Sequence, residues 1–345
     1  MQEPCDVCGA RDRMTPRIEV GLVGLGPVWI HRCAGCGFRQ VRPRPRSADL
    51  AVLYGEDYFD PDAPSGFREY AAQRQRYERE AYFLARTLRR MGRRGRLLEV
   101  GSGLGFLLDA LARATDWEVE GVELSPFGAR YARERFGLTV RHGTLEESRL
   151  PADRFDFVIQ KDLLEHVSHP RRHLDETRRV MRLGARLWLI TPNGEADVRP
   201  LAAASGPGAD ALPVLDQGHL SFFTKPQLLR LAAGAGFRCV RLRAIGARRG
   251  LRALGYLPGG RARPPLMTRR ELAATVREAA GGGGVAGDDA YRALAEVLDR
   301  ETALRHRRVR GWSLYYRYRR WMKGIDALAA SLTAGRDFDL LLEKV

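Results

Sequence analysis

The alternation of apolar and polar residues changes rhythm along the chain. From Phe67 to Met91 the residues Tyr70, Tyr77, Ala81, Leu84, Leu88 and Met91 recur at three, four or seven positions, the spacing of one helical face, so a helix is expected there. Between Arg96 and Ile245 short apolar runs take turns with helix-period stretches. The runs at Arg96–Val100, Glu118–Leu124, Leu138–His142, Phe155–Gln160, Ala185–Thr191 and Phe237–Ile245 read as strands, and Leu104–Ala114, Pro126–Phe136, Arg171–Arg182 and Lys225–Ala235 as helices. Strands alternating with helices predict a largely parallel sheet covered on both faces.

Beyond Ile245 the pattern shifts to helices separated by glycine: Thr268–Ala280, a break at Gly281–Gly284, Asp288–Leu304 and a long piece around Val309–Leu332. The chain then reads as strand again from Phe338 to Val345, and a single strand there needs a slot in the existing sheet. Residues 246–335 are therefore a helical insertion within the α/β domain. Upstream, Val41–Pro64 is punctuated by proline and reads as a linker crossing the surface. The expected division is 1–42, 43–93 (linker and helix), 94–245, 246–335 and 336–345.

At 345 residues and 44% apolar content the chain is long enough for two domains of about 100–200 residues and can build a large core. The net charge of +16 invites a nucleic-acid reading. Only four of the 58 basic residues are lysines, however, and arginine is spread over nearly every segment, which reads in part as genomic bias. The surplus is still uneven: residues 246–335 hold 18 basic and 8 acidic residues, ten of the sixteen excess charges. No run of about 18 apolar residues and no secretory leader pattern occurs, so a cytoplasmic location is expected.

Four of the five cysteines form two knuckles, Cys5-x-x-Cys8-Gly9 and Cys33-x-x-Cys36-Gly37. Each glycine lets the backbone bend so that two thiolates aim at one point, and two knuckles complete a tetrahedral zinc site with no position left for water. Residues 1–42 are thus read as a ribbon around a structural Zn²⁺, with His31 a part of its framework. Cys239, in an apolar strand, is read as a core residue.

The segment Leu98-Glu99-Val100-Gly101-Ser102-Gly103-Leu104-Gly105 places an acid in a strand, then three alternating glycines, then a helix. The glycines permit a tight turn and close backbone approach to a ligand, and the helix start adds amide donors. A dinucleotide fingerprint would space them G-x-G-x-x-G. The G-x-G-x-G spacing after an acid resembles the opening of class I S-adenosylmethionine (SAM)-dependent methyltransferases. Glu123, closing the next strand in Gly121-Val122-Glu123-Leu124, matches the acid that holds the ribose in that family. Gly143, Thr144 and Leu145 match its adenine-flanking positions, although the frequent acid there is missing. Gln160-Lys161-Asp162-Leu163-Leu164-Glu165-His166-Val167 matches the segment beside the methyl donor, and His219-Leu220-Ser221-Phe222-Phe223-Thr224 a further recurring one.

The matches run in order over about 96–245. They imply a Rossmann-like class I methyltransferase sheet, mostly parallel with a final antiparallel strand. The implied SAM contacts are Glu99, Gly101, Ser102, Gly103, Gly105, Glu123, Leu124, Thr144, Leu145 and Gln160. With its ribbon the chain is similar to bacterial zinc-ribbon methyltransferases, whose acceptors are small molecules, glycans or lipid-linked groups. Sugar C-methyltransferases share that order but end in a second α/β domain, where this chain has basic helices. RNA methylation, and a non-catalytic SAM-binding module that recruits a partner through the ribbon and the basic helices, are the competing readings.

Methyl transfer needs a base only if the acceptor must lose a proton. His166 and His219 fall on loops at the carboxyl ends of strands, where open α/β sheets bind ligands, and are the candidates; packing and loop bracing are the alternatives. Asp162, Glu165 and His166 resemble the metal-binding segment of ubiquinone-pathway O-methyltransferases, yet Glu165 and His166 read first as caps and anchors of the following helix. No second metal is assigned. Residues 305–323 interleave arginines with Trp312, Tyr315, Tyr316, Tyr318 and Trp321. They read first as a packed, solvated helix, then as a surface for an anionic acceptor or the membrane, and last as a nucleic-acid surface.

Overall fold

Eight residues near the end of the chain complete the main sheet. In the computed structural model, β13 (Asp337–Lys344) lies between β8 (Met181–Pro192) and β11 (Phe237–Ile245), antiparallel to both. The structure describes residues 3–46, 49–50, 53–59, 70, 73–206, 209–215, 218–246, 251, 264–281, 288–305 and 336–345. The sheet continues from β8 in parallel through β7 (Phe155–Lys161), β4 (Arg96–Val100), β5 (Glu118–Glu123) and β6 (Thr139–His142). This is the expected α/β Rossmann-like methyltransferase sheet. Phe338, Leu340 and Leu342 alternate inward and are at most 1% exposed, so the last strand supplies core on one face at every second residue.

Helices α1 (Arg74–Met91), α2 (Phe106–Ala114), α3 (Pro126–Phe136) and α4 (Pro170–Val180) accompany the sheet, followed by α5 (Gly194–Ala204) and α6 (Lys225–Gly234). Their starts are legible in local chemistry. Pro126 opens α3 after Ser125, whose hydroxyl accepts from the Gly128 amide, and Thr224 with Gln227 forms a capping box on α6. Of the helix expected from Phe67, residues 67–69, 71 and 72 lie outside the described residues; the helix is seen from Arg74.

The ribbon strands β1 (Met14–Leu22), β2 (Gly26–Cys33) and β3 (Arg39–Arg42) form a second sheet. It does not end at the ribbon. Strand β10 (Ser221–Phe222) joins its edge, with Ser221 opposite Gln40 and Phe222 opposite Arg39. Cys5, Val7, Met14, Cys33 and Phe38 share one buried cluster with Leu98, Phe223 and Leu228, and the Phe38 and Phe223 rings stack at 5.1 Å. The ribbon is therefore built into the catalytic-domain core.

Three expectations are corrected. The 43–64 stretch is more than a surface linker: Leu50 and Phe59 are buried, and Phe59 packs where a Cβ on Gly128 would come within 2.8 Å. Cys239 is exposed, because it sits on the edge strand β11 just before the bulge at Cys239/Arg241. The insertion is not wholly helical, since β12 (Leu266–Thr268) pairs with β9 (Ala211–Pro213). Its helix α7 (Arg269–Gly281) lies on the ribbon hairpin, where fully buried Leu272 leaves no room for a side chain at Gly21 and Thr275 Oγ1 accepts from the Gly24 amide. Helix α8 (Asp288–Arg305) packs Tyr291, Ala295 and Leu298 against Phe127 and Tyr131 of α3. The expected helix around Val309–Leu332 lies outside the described residues. Among the described residues no helix is long and apolar enough to cross a membrane.

Leu272→Ala empties the contact that seats α7 on the ribbon. It should cost about 2–5 kcal/mol of stability, read as a lower midpoint in urea unfolding followed by tryptophan fluorescence; an unchanged midpoint would show that this contact contributes nothing.

Candidate functional site

At the carboxyl end of β4 the chain turns through Gly101, Gly103 and Gly105, all with positive φ of 54–80°. Gly103 and Gly105 are held to glycine twice over, by backbone and by space. A Cβ on Gly103 would collide with the Tyr70 hydroxyl, and one on Gly105 would come within 2.8 Å of Ala132. Glu123, at the end of β5, reaches across this turn: its carboxylate accepts from the Gly103 amide at 2.6 Å and from the Ser125 amide at 2.8 Å. Burial raises its pKa, while those amides and that of Leu124 pull the other way.

Beside the turn, Glu99 Oε2 and Ser102 Oγ are buried without a hydrogen-bond partner among the described residues. Burial holds the Glu99 pKa well above the usual carboxylate range, against the attraction of Lys161, whose ammonium pairs with Glu80 at 2.8 Å and sits 4.3 Å from the Tyr77 ring centroid. Unsatisfied buried polar atoms cost free energy, so their presence beside a glycine cradle marks a place made for a ligand with donors of its own. Asp162, the residue after β7, is a non-glycine residue at φ 51°, a local strain of the kind that collects at binding sites.

A second cluster lies one strand along. Glu165 is 1% exposed and its carboxylate accepts from Thr191 Oγ1 at 2.9 Å. Its pKa is pushed up to about 8 by burial, with His219 opposing. His219 Nδ1 lies 2.9 Å from Asp197 Oδ2, and Asp197 Oδ1 lies 2.5 Å from Arg336 Nη1. His166 Nδ1 is 2.6 Å from the Tyr54 hydroxyl, and the two imidazoles meet edge to face at 4.9 Å. Burial and then the charge of His219 lower the His166 pKa to about 3. For His219 burial also works downward, yet the bond to Asp197 and the charges of Asp197 and Glu165 raise it overall. Neighbouring titratable groups with pKa values driven apart are a mark of acid–base chemistry. Tyr54 and Tyr58, 5.0 Å apart by ring centroids, bridge the two clusters, since both feel the charges of Glu123 and Glu165.

The arrangement differs from the sequence reading in several places. Neither Glu165 nor His166 anchors α4, which begins at Pro170; Glu165 instead receives the Leu220 and Ser221 amides on its carbonyl. Glu165 and His166 gather with His219, not with Asp162, their polar atoms within 4.8 Å of one another. The Gln160 side chain is fully buried and donates to Thr177 Oγ1 at 2.7 Å, so it faces α4 and not the glycine turn. Leu145 is a core side chain, and Leu124 packs with the ribbon-side cluster. Thr144 is tied to its own turn, since Glu147 accepts from the Thr144 amide and hydroxyl. Tyr54, Thr191, Asp197 and Arg336 are the participants that sequence reasoning missed.

In the ribbon the Cys5–Cys36 and Cys8–Cys33 sulfurs are 3.7 Å apart and all four lie within 4.8 Å of one another. Zn–S bonds of 2.3 Å at tetrahedral angles separate sulfurs by about 3.8 Å, so the donor set fits such an ion. Gly9 and Gly37, at φ 72° and 73°, make the bend that each knuckle requires.

Residues 70–242 match a protein family described as "Methyltransferase domain". A rice chloroplastic 2-methyl-6-phytyl-1,4-hydroquinone methyltransferase 2 is 30% identical over 175 residues, 48% of this chain and 46% of that protein. A ubiquinone biosynthesis O-methyltransferase of Cereibacter sphaeroides is 33% identical over 103 residues, 28% of this chain and 41% of that one. The chain spans about half the length of the curated relatives it matches. A putative sarcosine dimethylglycine methyltransferase from Galdieria sulphuraria, known from a crystal structure, is 13% identical with a TM-score of 0.45, covering 77% of this chain and 85% of that one. With the family match spanning half of its length, the chain belongs to the methyltransferase-domain family.

Proposed function

We propose that the protein transfers a methyl group from SAM to a small-molecule, glycan or lipid-linked acceptor of a biosynthetic pathway, and that its ribbon holds a structural Zn²⁺. The observation that carries the reading is the pairing, at one sheet end, of a glycine cradle bearing unpartnered Glu99 and Ser102 atoms with a buried acid–histidine cluster. Glu99, Ser102 and the three glycines would take the methionine part of the donor, and Glu123 its ribose. SAM supplies a methyl carbon on a sulfonium. Its carbon–sulfur bond would break as that carbon joins the acceptor atom, and His219 would take the proton of an acceptor that has one to lose.

With Nδ1 turned to Asp197, Nε2 is the nitrogen left to receive that proton. His166, held neutral by its burial and bonded to Tyr54, offers a polar wall beside it. The names of the rice and Cereibacter relatives denote small-molecule methylation, which supports such an acceptor over a nucleic acid. Residues 305–323 fall outside the described residues except Arg305, so a role for them in holding an anionic acceptor or a membrane surface rests on their sequence.

Glu123→Ala should abolish SAM binding in titration calorimetry while the circular dichroism spectrum stays unchanged; unaltered affinity would refute the donor site. Purified protein should carry one zinc per chain by elemental analysis, and Cys33→Ser should lose it together with thermal stability. Incubation with methyl-labelled SAM and fractionated bacterial extract should transfer label to a small molecule, whereas a sensor module would transfer none.

A further inference from the structure

Residue 336 is where the chain returns from the insertion, and it is fastened on every side. Its amide donates to the Ile245 carbonyl at 2.9 Å, so the two roots of the insertion are joined directly. Its carbonyl accepts from the Asn193 amide at 2.8 Å, and its guanidinium reaches Asp197 Oδ1 at 2.5 Å. Asn193 and Asp197 are the cap and first turn of α5. One residue thus grips that turn at two points, and Asp197 passes the grip to His219 Nδ1 through its other oxygen. The side chains of Arg336, Asp197 and His219 are 25%, 13% and 10% exposed, so the chain of contacts is shielded from water along most of its length.

We infer that Asp197 and Arg336 are positioning residues for methyl transfer: Asp197 fixes the ring and tautomer of His219, and Arg336, joined to Ile245 where the insertion begins and ends, fixes Asp197. The inference rests on the methyltransferase reading above and goes beyond it. Its chemistry is that of an acid orienting an imidazole, in which the acid is not itself protonated. The arginine keeps that carboxylate charged and stationary. Around His219 the charged and titratable groups are Asp197 from α5, Arg336 at the head of β13, and Glu165 and His166 after β7. Asp337 and Asp162 act one contact further out, on Arg336 and Glu165 respectively.

The two residues push His219 in opposite directions, which gives the test its sign. Asp197 raises the His219 pKa and Arg336 lowers it. A base must be unprotonated, so activity should rise with pH through the His219 midpoint. In the full-length chain with ¹⁵N-labelled histidine, His219 is assigned by the resonance that H219Q removes. D197N should lower the His219 midpoint by about one unit or more. R336Q should raise it by a smaller amount, and R336K, which keeps the charge, should return it toward the wild-type value. Label transfer from SAM by D197N should fall by about 10²–10⁴-fold, and the acid limb of transfer by R336Q should move to higher pH, with SAM affinity by calorimetry unchanged in both. Midpoints that fail to move, or move the same way in D197N and R336Q, would overturn the inference. So would transfer equal to that of the wild type. Because the midpoints are read without any acceptor, absence of transfer by the wild-type protein itself would overturn the underlying methyltransferase reading separately from the positioning contacts.

Discussion

The pairing of Ser221 and Phe222 with Gln40 and Arg39 is the constraint on which the site depends. Two residues of strand are a small element, but they are backed on both sides. The Val41 amide donates to the Leu220 carbonyl, and the amides of Leu220 and Ser221 both donate to the carbonyl of Glu165. The loop bearing His219 is therefore clamped between the ribbon and the end of β7. Buried Gln40 extends the clamp by donating to the Ser168 carbonyl, and Gln227 donates to the Cys36 carbonyl. Such networks are stiff when fully satisfied and costly when any member is lost. An ion held by the cysteine knuckles would act on the chemistry without touching it, by fixing the ribbon edge on which this loop is hung.

The electrostatics show the same economy. Glu99, Glu123 and Glu165 are all buried acids near one sheet end, an arrangement that opposes stability unless each charge meets a partner or is neutralised. Glu123 meets backbone amides, Glu165 meets Thr191 with one oxygen and feels the charge of His219, and among the described residues Glu99 Oε2 and Glu165 Oε1 have no hydrogen-bond partner. The protein tolerates this cost at a place where a bound molecule would offset it. The two adjacent histidines divide along the same lines, one kept neutral by its surroundings and the other drawn toward its charged form by Asp197.

Much of the scaffold was legible because local signals and global fold agree there. Arg96–Val100, Pro126–Phe136 and Phe237–Ile245 fall where periodicity and capping residues put them. The glycine turn, Glu123 and the cysteine knuckles announce themselves because each needs a particular residue at a particular spacing. What stayed hidden was fixed by distant partners. Helix α5 carries Pro200 in its interior, which masks it and with it Asp197. Strands β9, β10 and β12 are two or three residues long and exist only because another edge lies beside them. Tyr54 sits in a proline-rich stretch that reads as linker, and Arg336 is one arginine among many until the fold brings it to Asp197. Cys239 misled for the reverse reason, since an apolar neighbourhood in sequence became an exposed sheet edge.

The place of β13 in the sheet has a consequence for how the molecule is assembled. Strands β8 and β11 cannot complete their hydrogen bonding until 337–344 slides between them, some ninety residues of chain after β11 has been made. Contacts of such long sequence separation pay their loop-closure entropy before they return any stability, so this step is intrinsically slow. During that interval the edge of β8 stands open and β11 has no strand partner, a state prone to pairing with other chains. The insertion, by docking α7 on the ribbon and α8 on α3, shortens the effective distance the returning strand must search. Its first service would then be to its own folding.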